Sequence, residues 1–130
     1  MHIGTHLIIE MYGCDADILR DLELIEKVLL MSAEEGGATI LSNYFHKFGY
    51  EGGVTGVVCI AESHISIHTW PEYEYAALDV FTCSAKMNPI LIQERIIEML
   101  KPKRVILKKF NRGSIRKSIN RVGLSVEITN

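Results

Sequence analysis

Three strand-length runs joined by short links, between residues 54 and 83, constrain the fold of this chain most. The runs are Val54 to Ala61, residues 65–70 and residues 75–82, and only Pro71 to Glu74 separate the last two. Parallel neighbours need a crossover of about a dozen residues or more, which links of this length cannot supply. The three runs therefore predict consecutive antiparallel strands of one sheet.

The middle run predicts a strand with two chemically different faces. Side chains alternate along a strand, so every second residue shares a face. One face then carries His64, Ser66, His68 and Trp70, and the other carries Ile65, Ile67 and Thr69. We expect the first face to hold polar chemistry and the second to pack in a core, with Ser63 at the junction of two strands.

The N-terminal third predicts a strand, a helix and a second strand. His2 to Tyr12 reads as a strand, and Asp15 is a suitable N-cap for a helix that runs to about Glu34. The apolar residues of this helix recur at helical spacing at Ile18, Leu22, Ile25 and Leu29. Gly36-Gly37 end the helix, and the segment from Ala38 to Lys47 returns as a strand.

The C-terminal third predicts one more helix and one more strand. Asn88-Pro89 open the helix as N-cap and first residue, Ile90, Ile97 and Leu100 form its buried stripe, and Pro102 stops it. Arg104 to Phe110 is the last strand. The order βαββββαβ predicts an α+β fold, a two-layer α/β sandwich whose antiparallel sheet has two helices packed on one face.

Size, hydropathy and cysteine content place the chain among single-domain cytoplasmic proteins. We expect residues 1–130 to form one domain, since 130 residues with 48% hydrophobic content suffice for one core. No apolar run is long enough to span a bilayer, which predicts no membrane partner. The cysteines Cys14, Cys59 and Cys83 form no C-x-x-C pair, so we expect free thiols in a reducing compartment.

The charge is unevenly distributed along the chain. From Lys101 onward nine Lys/Arg stand against one acid, Glu127, whereas the first hundred residues carry five basic and fifteen acidic side chains. A basic terminal segment can bind nucleic acid. This one has no aromatic residue after Phe110 on which bases could stack, so we expect a solvated or docked tail and no nucleic-acid partner.

Spacing alone leaves the chemistry of Ser63, His64 and His68 open. A hydrolase nucleophile elbow needs glycine two residues to either side of the serine, where this chain has Ala61 and Ile65. The two histidines would share a face of a helix as a metal pair, but the β-branched content predicts a strand, and we expect no metal. A non-catalytic small α/β binding or metal module remains open at this point.

The segment GVTGVVCIAESHISIHTWPEYEYAALDVFTC resembles the core signature of the prokaryotic-type S-adenosylmethionine decarboxylase proenzymes. The resemblance extends to His6-Leu7-Ile8, residues 21–26, residues 36–40 and residues 45–48, and covers about residues 3 to 110. It implies a two-layer α/β sandwich that forms a homodimer with active sites shared between subunits.

The resemblance also implies that the chain cuts itself between Glu62 and Ser63. The products would be residues 1–62, the β chain, and residues 63–130, the α chain. Ser63 would become a pyruvoyl group that serves as the cofactor and forms a Schiff base with the substrate, with no metal and no pyridoxal phosphate. His68 matches the proton acceptor of this processing, and Thr55 matches a serine that assists it. Glu62 and Ser63 complete the processing set.

The resemblance implies decarboxylation of S-adenosylmethionine to S-adenosylmethioninamine, which supplies aminopropyl groups for spermidine and other polyamines. Cys83 matches the proton donor of that reaction. Glu72 matches the acid that accepts the ribose hydroxyls, and Phe48 the aromatic residue that stacks on adenine. Without the resemblance, Cys83 and Phe48 would be read as core residues and Glu72 as a solvated carboxylate.

Two residues near the site depart from the family pattern. Glu74 replaces a glycine in PEYGY, and Ser84 replaces the glycine that commonly follows the cysteine. Some relatives on this scaffold decarboxylate arginine or ornithine, and an added carboxylate would suit such cations. An arginine or ornithine decarboxylase is therefore the alternative substrate hypothesis.

Overall fold

The structure, a computed structural model, describes residues 2–114, 124 and 126–128. Six strands and three helices follow one another within these described residues. They are β1 His2–Tyr12, α1 Ala16–Leu19, α2 Leu22–Glu35, β2 Ile40–Lys47, β3 Val54–Ile60, β4 Ser63–Trp70, β5 Tyr75–Thr82, α3 Pro89–Leu100 and β6 Arg104–Ser114, with a 3₁₀ turn Pro71–Tyr73 between β4 and β5.

The strands form one antiparallel sheet in the order β2-β3-β4-β5-β1-β6. The predicted α+β fold, a two-layer sandwich with an antiparallel sheet, is confirmed. The first strand of the chain lies between β5 and β6, the fifth and last strands. The strands from β2 to β5 therefore pair with their neighbours in sequence, whereas β1 joins the sheet through long-range pairing.

The first predicted helix is in fact two helices. Asp15 caps α1 by accepting the backbone N–H groups of Asp17 and Ile18, as expected. The prediction of one helix to about Glu34 was wrong, because α1 ends at Leu19 and Asp21 caps a new helix by accepting the N–H of Leu24. An aspartate that satisfies the first turn of a new helix competes with continuing the old one. Over residues 2–114 the helical layer thus has three helices where two were expected.

The helices cover one face of the sheet and enclose the core with it. Ile65 and Ile67 of β4 are fully buried in this core, which confirms the predicted alternation. Asn88 caps α3 as predicted, but the predicted buried stripe was partly wrong, since Ile90 is 44% exposed. Ile92 and Ile96 are fully buried instead, together with Leu100.

We call the other side of the sheet, which none of the described helices covers, the open face. Its side chains include Tyr44 of β2, Thr55 and Cys59 of β3, His64, Ser66, His68 and Trp70 of β4, Tyr75, Asp79 and Phe81 of β5, His6 and Glu10 of β1, and Arg112 of β6. Most of them are only partly exposed. This face therefore gathers most of the polar residues singled out in the sequence.

The basic C-terminal segment is described only in part. Strand β6 continues to Ser114, beyond the predicted end at Phe110. Most residues after Ser114, on which the expectation of a solvated or docked tail rests, lie outside the described residues. None of the helices within residues 2–114 is long and apolar enough to cross a membrane.

Candidate active site

Residues Ala61 and Glu62 make the tight turn between β3 and β4, and Ser63 follows in an unusual backbone conformation. The φ angle of Ser63 is 146°, a positive value that residues with a Cβ rarely adopt. Such a conformation costs about 1–3 kcal/mol and persists only where its surroundings enforce it. The expected position of Ser63 at a strand junction is confirmed, and the junction holds it under strain.

The carbonyl oxygen of Glu62 faces Cys83, which follows the end of β5. The backbone N–H of Cys83 donates to this oxygen at 2.9 Å, and its Sγ lies 3.2 Å away. Two donors on one carbonyl polarise it and would stabilise an oxyanion formed there. Cys83, Glu62 and Ser63 therefore form one group, which we call the scissile half of the site. Cys83 is exposed, so the alternative interpretation of it as a core residue is wrong.

The second group of candidate residues lies at the other end of β4. Thr55 of β3 and His68 are cross-strand partners, and Thr55 Oγ1 lies 3.0 Å from His68 Nδ1. A cavity of about 410 Å³ brings these two together with Phe48, Thr69, Trp70 and Glu72. We call Phe48, Thr55, His68 and Glu72 the binding half of the site. Its volume suits a small organic molecule.

The scissile half and the binding half do not meet within the chain. Ser63 and His68 lie at positions five residues apart on the same continuous strand. A strand rises by about 3.3 Å per residue, so the two residues are roughly 16 Å apart. A base must come within hydrogen-bond reach of the proton that it removes. The sequence resemblance predicts that these residues share one site, whereas within a single chain they form two separate groups.

A hydrogen-bonded network occupies the open face beside the scissile half. Asp79 Oδ2 lies 2.6 Å from His6 Nε2 and 2.8 Å from His64 Nε2, and the Ser66 hydroxyl donates to Asp79 Oδ1. Burial by itself would raise the pKa of Asp79, but the hydrogen bonds from Ser66, His6 and His64 outweigh it and hold the pKa below its usual value. Asp79 is therefore an anchored carboxylate.

Three ligand-type atoms of this network, from His6, His64 and Asp79, lie within 4.8 Å of one another, as they would around a metal ion. Arg112 Nη1, however, lies 2.7 Å from His6 Nδ1. Because arginine only donates, Nδ1 accepts and the proton of neutral His6 is on Nε2, directed at Asp79. A metal would need that nitrogen deprotonated and would lie near a guanidinium. The contacts therefore favour a hydrogen-bonded network over a metal centre.

Sequence reasoning missed the roles of His6 and Asp79 in this network. The sequence did contain a signal, because alternation along a strand puts His6 on the same face as Glu10, and Asp79 on the same face as Tyr75 and Phe81. The position of β1 beside β5, which brings His6 to Asp79, follows from pairing that no short link enforces.

Glu74, which departs from the family pattern, lies in the left-handed region with φ 51° and ψ 33°. Its backbone carbonyl accepts the N–H of Cys14 at 2.9 Å, while its side chain is exposed. Glycine adopts this conformation without steric cost, and glutamate does not. The substitution therefore strains the turn after Glu72, and the exposed carboxylate gives no sign of a built cation site.

Comparison with known proteins gives a consistent result. The family model described as S-adenosylmethionine decarboxylase matches residues 5–113. An S-adenosylmethionine decarboxylase proenzyme from Caldicellulosiruptor saccharolyticus is 48% identical over 114 residues, which are 87% of this chain and 91% of the relative. The proenzyme from Acetivibrio thermocellus is 49% identical over 111 residues, 85% of this chain and 89% of the relative.

A solved structure agrees with these relatives. The crystal structure of the adenosylmethionine decarboxylase from Aquifex aeolicus superimposes with a TM-score of 0.83 at 36% identity. The match covers 92% of this chain and 98% of that chain. Fold and sequence therefore point to the same family.

Proposed function

Because the chain belongs to the S-adenosylmethionine decarboxylase family and is thus an enzyme that decarboxylates, we propose that it converts S-adenosylmethionine to S-adenosylmethioninamine. That product donates aminopropyl groups in the synthesis of spermidine and related polyamines. A cytoplasmic location is part of the proposal, and the free thiols of Cys14, Cys59 and Cys83 suit a reducing compartment.

The enzyme first processes itself at the Glu62–Ser63 bond. The Ser63 hydroxyl adds to the Glu62 carbonyl carbon, and the C–N bond breaks to leave an ester. Removal of the Ser63 α-proton expels the Glu62 carboxylate and leaves dehydroalanine, which takes up water and releases ammonia to give a pyruvoyl group. The Cys83 N–H at 2.9 Å from the Glu62 oxygen supports the first step, because it stabilises the charge that forms on that oxygen.

The residues at the start of the α chain fit such a group. Ser63 begins β4 at a strained turn, and the exposed thiol of Cys83 lies beside it. A pyruvoyl group supplies a carbonyl that condenses with the substrate amine and accepts the electrons left when CO₂ departs. Cys83 donates the proton that the product carbon then needs, and the site requires no metal and no pyridoxal phosphate.

The binding half supplies the contacts for the nucleoside. Glu72 and Phe48 line the same cavity, beside His68. The Glu72 carboxylate accepts the two ribose hydroxyls, and the Phe48 ring, which is 57% exposed, stacks on the adenine. Arginine and ornithine would use neither contact.

A second copy of the chain completes each active site. The observation that carries this step is the separation of roughly 16 Å between Ser63 and His68 along β4. The open face lacks a covering layer among the described residues, and it exposes aromatic side chains such as Tyr44 and Trp70. In a two-fold dimer through the open faces, the scissile half of one protomer meets the binding half of the other. His68 then acts on Ser63 of its partner.

Mass spectrometry of the denatured protein tests the self-cleavage. We expect a piece of residues 1–62 and a piece of residues 63–130, whose N-terminus is blocked and reacts as a ketone. The Ser63→Ala variant should remain one chain and serves as the control. A wild-type protein that stays intact after long incubation would refute the processing and favour a non-catalytic module.

Mixed dimers test whether the site is shared. Ser63→Ala and His68→Ala chains are produced together, so that about half of the His68→Ala chains pair with a Ser63→Ala chain. A shared site lets those His68→Ala chains be cut, because the partner provides the histidine. His68→Ala alone stays uncut. If the mixture also stays uncut, each protomer uses its own histidine and the dimer proposal fails.

Release of CO₂ from labelled substrates tests the specificity. S-adenosylmethionine, arginine and ornithine are offered separately to the matured protein, and only the first should turn over. Glu72→Gln should weaken binding of S-adenosylmethionine by about tenfold or more, since bonds to a charged acceptor contribute roughly 1.5–3 kcal/mol. Turnover of arginine or ornithine alone would favour the alternative substrate and would implicate Glu74 in binding it.

A further inference from the structure

Two side-chain hydrogen bonds flank the bond that the proposed function cuts, one on each side of Ser63. We propose that Glu62 and His64 are positioning residues that tie the two sides of this bond to the segment before β2 and to β5, before and after cleavage. The inference rests on the proposed self-cleavage. It assigns a task to Glu62 and His64 that is separate from those of Ser63, His68 and Cys83.

On the N-terminal side, the turn is tied to the chain just before β2. The Glu62 carboxylate accepts the backbone N–H of Thr39 at 2.9 Å, and the N–H of Ala61 donates to the Thr39 carbonyl at 2.9 Å. These two bonds hold both residues of the turn against one residue, Thr39. Thr39, Ala61 and Glu62 all belong to residues 1–62, so the cut breaks neither bond.

On the C-terminal side, the residue after Ser63 is tied to β5. His64 Nε2 lies 2.8 Å from Asp79 Oδ2. Asp79 cannot swing away easily, because Ser66 and His6 also donate to it. His64 and Asp79 both belong to residues 63–130, so this bond also survives the cut.

Ser63 is thus held between two fixed neighbours while its φ angle is 146°. A strained residue relaxes unless its surroundings oppose it, and the two bonds oppose rotation on either side. They also keep the Glu62 carbonyl directed at the Cys83 N–H. After cleavage, the new C-terminus at Glu62 and the new N-terminus at residue 63 stay opposite Cys83, although no covalent bond joins them.

Two variants of Glu62 separate the hydrogen bond from the charge. Glu62→Ala removes the acceptor for the Thr39 N–H, and we expect it to slow self-cleavage by about tenfold or more. Glu62→Gln keeps an acceptor oxygen and should be cut within about threefold of the wild-type rate. Glu35→Ala, which breaks an ion pair with Arg95 in the helical layer, is the matched control and should cut normally.

Two variants of His64 test the other side. His64→Gln keeps an N–H donor for Asp79, whereas His64→Phe keeps the ring shape without the donor. We expect His64→Phe to be cut about tenfold more slowly. Its matured fraction should show a lower kcat with KM nearly unchanged, because the reactive end is misplaced while the binding half is intact. His64→Gln should restore both values.

A measurement that needs no cleavage keeps the inference separate from the proposed function. In the uncut Ser63→Ala protein, hydrogen exchange of the Thr39 amide should be slow, and adding Glu62→Ala should speed it by about tenfold or more. If wild-type protein is never cut but Glu62→Ala still speeds exchange of the Thr39 amide, the proposed function fails while the role of Glu62 in holding the turn stands. Equal exchange in both proteins, or equal cleavage of Glu62→Ala and Glu62→Gln, would overturn the inference.

Discussion

Thr69 of β4 allows the most quantitative prediction, because its buried hydroxyl connects three elements beneath the binding half. Its Oγ1 accepts the N–H of Val54, at the start of β3, at 2.8 Å, and donates to the carbonyl of Leu19, at the end of α1, at 2.7 Å. Thr69 is 5% exposed. Thr69→Val keeps the shape of the side chain and replaces only this hydroxyl by a methyl group.

The valine variant leaves two buried backbone groups without their partner. An unsatisfied buried donor or acceptor costs about 1–3 kcal/mol, so the two together cost about 2–6 kcal/mol. The extra methyl group of valine offsets about 1 kcal/mol of this through burial. We therefore expect Thr69→Val to lower the free energy of unfolding by about 3 kcal/mol. Thr69→Ser keeps the hydroxyl and loses one methyl group, which costs about 1 kcal/mol.

Urea denaturation checks the order of the two variants. Both are compared at one protein concentration in the Ser63→Ala background, so that neither cleavage nor dimer dissociation differs between samples. The order of stability should be parent, then Thr69→Ser, then Thr69→Val. A Thr69→Val protein as stable as Thr69→Ser would refute the reasoning, since it would show that the two backbone groups find other partners.

Three further outcomes are expected. Glu74→Gly should raise the free energy of unfolding by up to about 1 kcal/mol, because glycine adopts the left-handed conformation without steric cost. A lower free energy of unfolding in urea denaturation would contradict this. Because the pKa of Asp79 is lowered in the folded protein, its carboxylate stabilises the fold above about pH 4. This contribution is lost as the pH falls through the pKa of the folded state. The urea midpoint should therefore decline less steeply in acid for Asp79→Asn than for the parent protein. Cys83→Ala should still be cut, since its backbone N–H remains, but should release CO₂ slowly; an uncut variant would assign the thiol to cleavage.

Local patterns in the sequence predicted the local structure well. The alternation around Ser66 gave the two faces of β4, and Asp15 and Asn88 marked true helix starts. The break before Asp21 was missed because the apolar spacing continues through it, while the cap that decides the matter is a single polar residue. Ile90 was misplaced because helical spacing alone does not say which apolar stripe faces the sheet.

The geometry of the site was less accessible. The resemblance identified Ser63, His68 and Cys83 as candidates, but it carried no distances. The separation of Ser63 and His68 could have been estimated from the strand prediction, since five residues of strand are roughly 16 Å long. The contact of His6 with Asp79 could not, because β1 reaches β5 only through long-range pairing across the whole chain.

If the chain is cut as proposed, the place of β1 in the sheet allows each molecule to fold only once. The proposed cut leaves β1 to β3 in one piece and β4 to β6 in the other, and β1 stays paired on both sides with strands of the other piece. Within a protomer, the intact chain folds by a unimolecular reaction, but the cut pieces can regain the sheet only by a bimolecular encounter, with unpaired strand edges exposed meanwhile. Recovery of the mature protein from urea should therefore depend on its concentration and fall far below that of the uncut Ser63→Ala chain. Such a protein must finish folding before it matures, and each molecule that later unfolds has to be replaced by new synthesis.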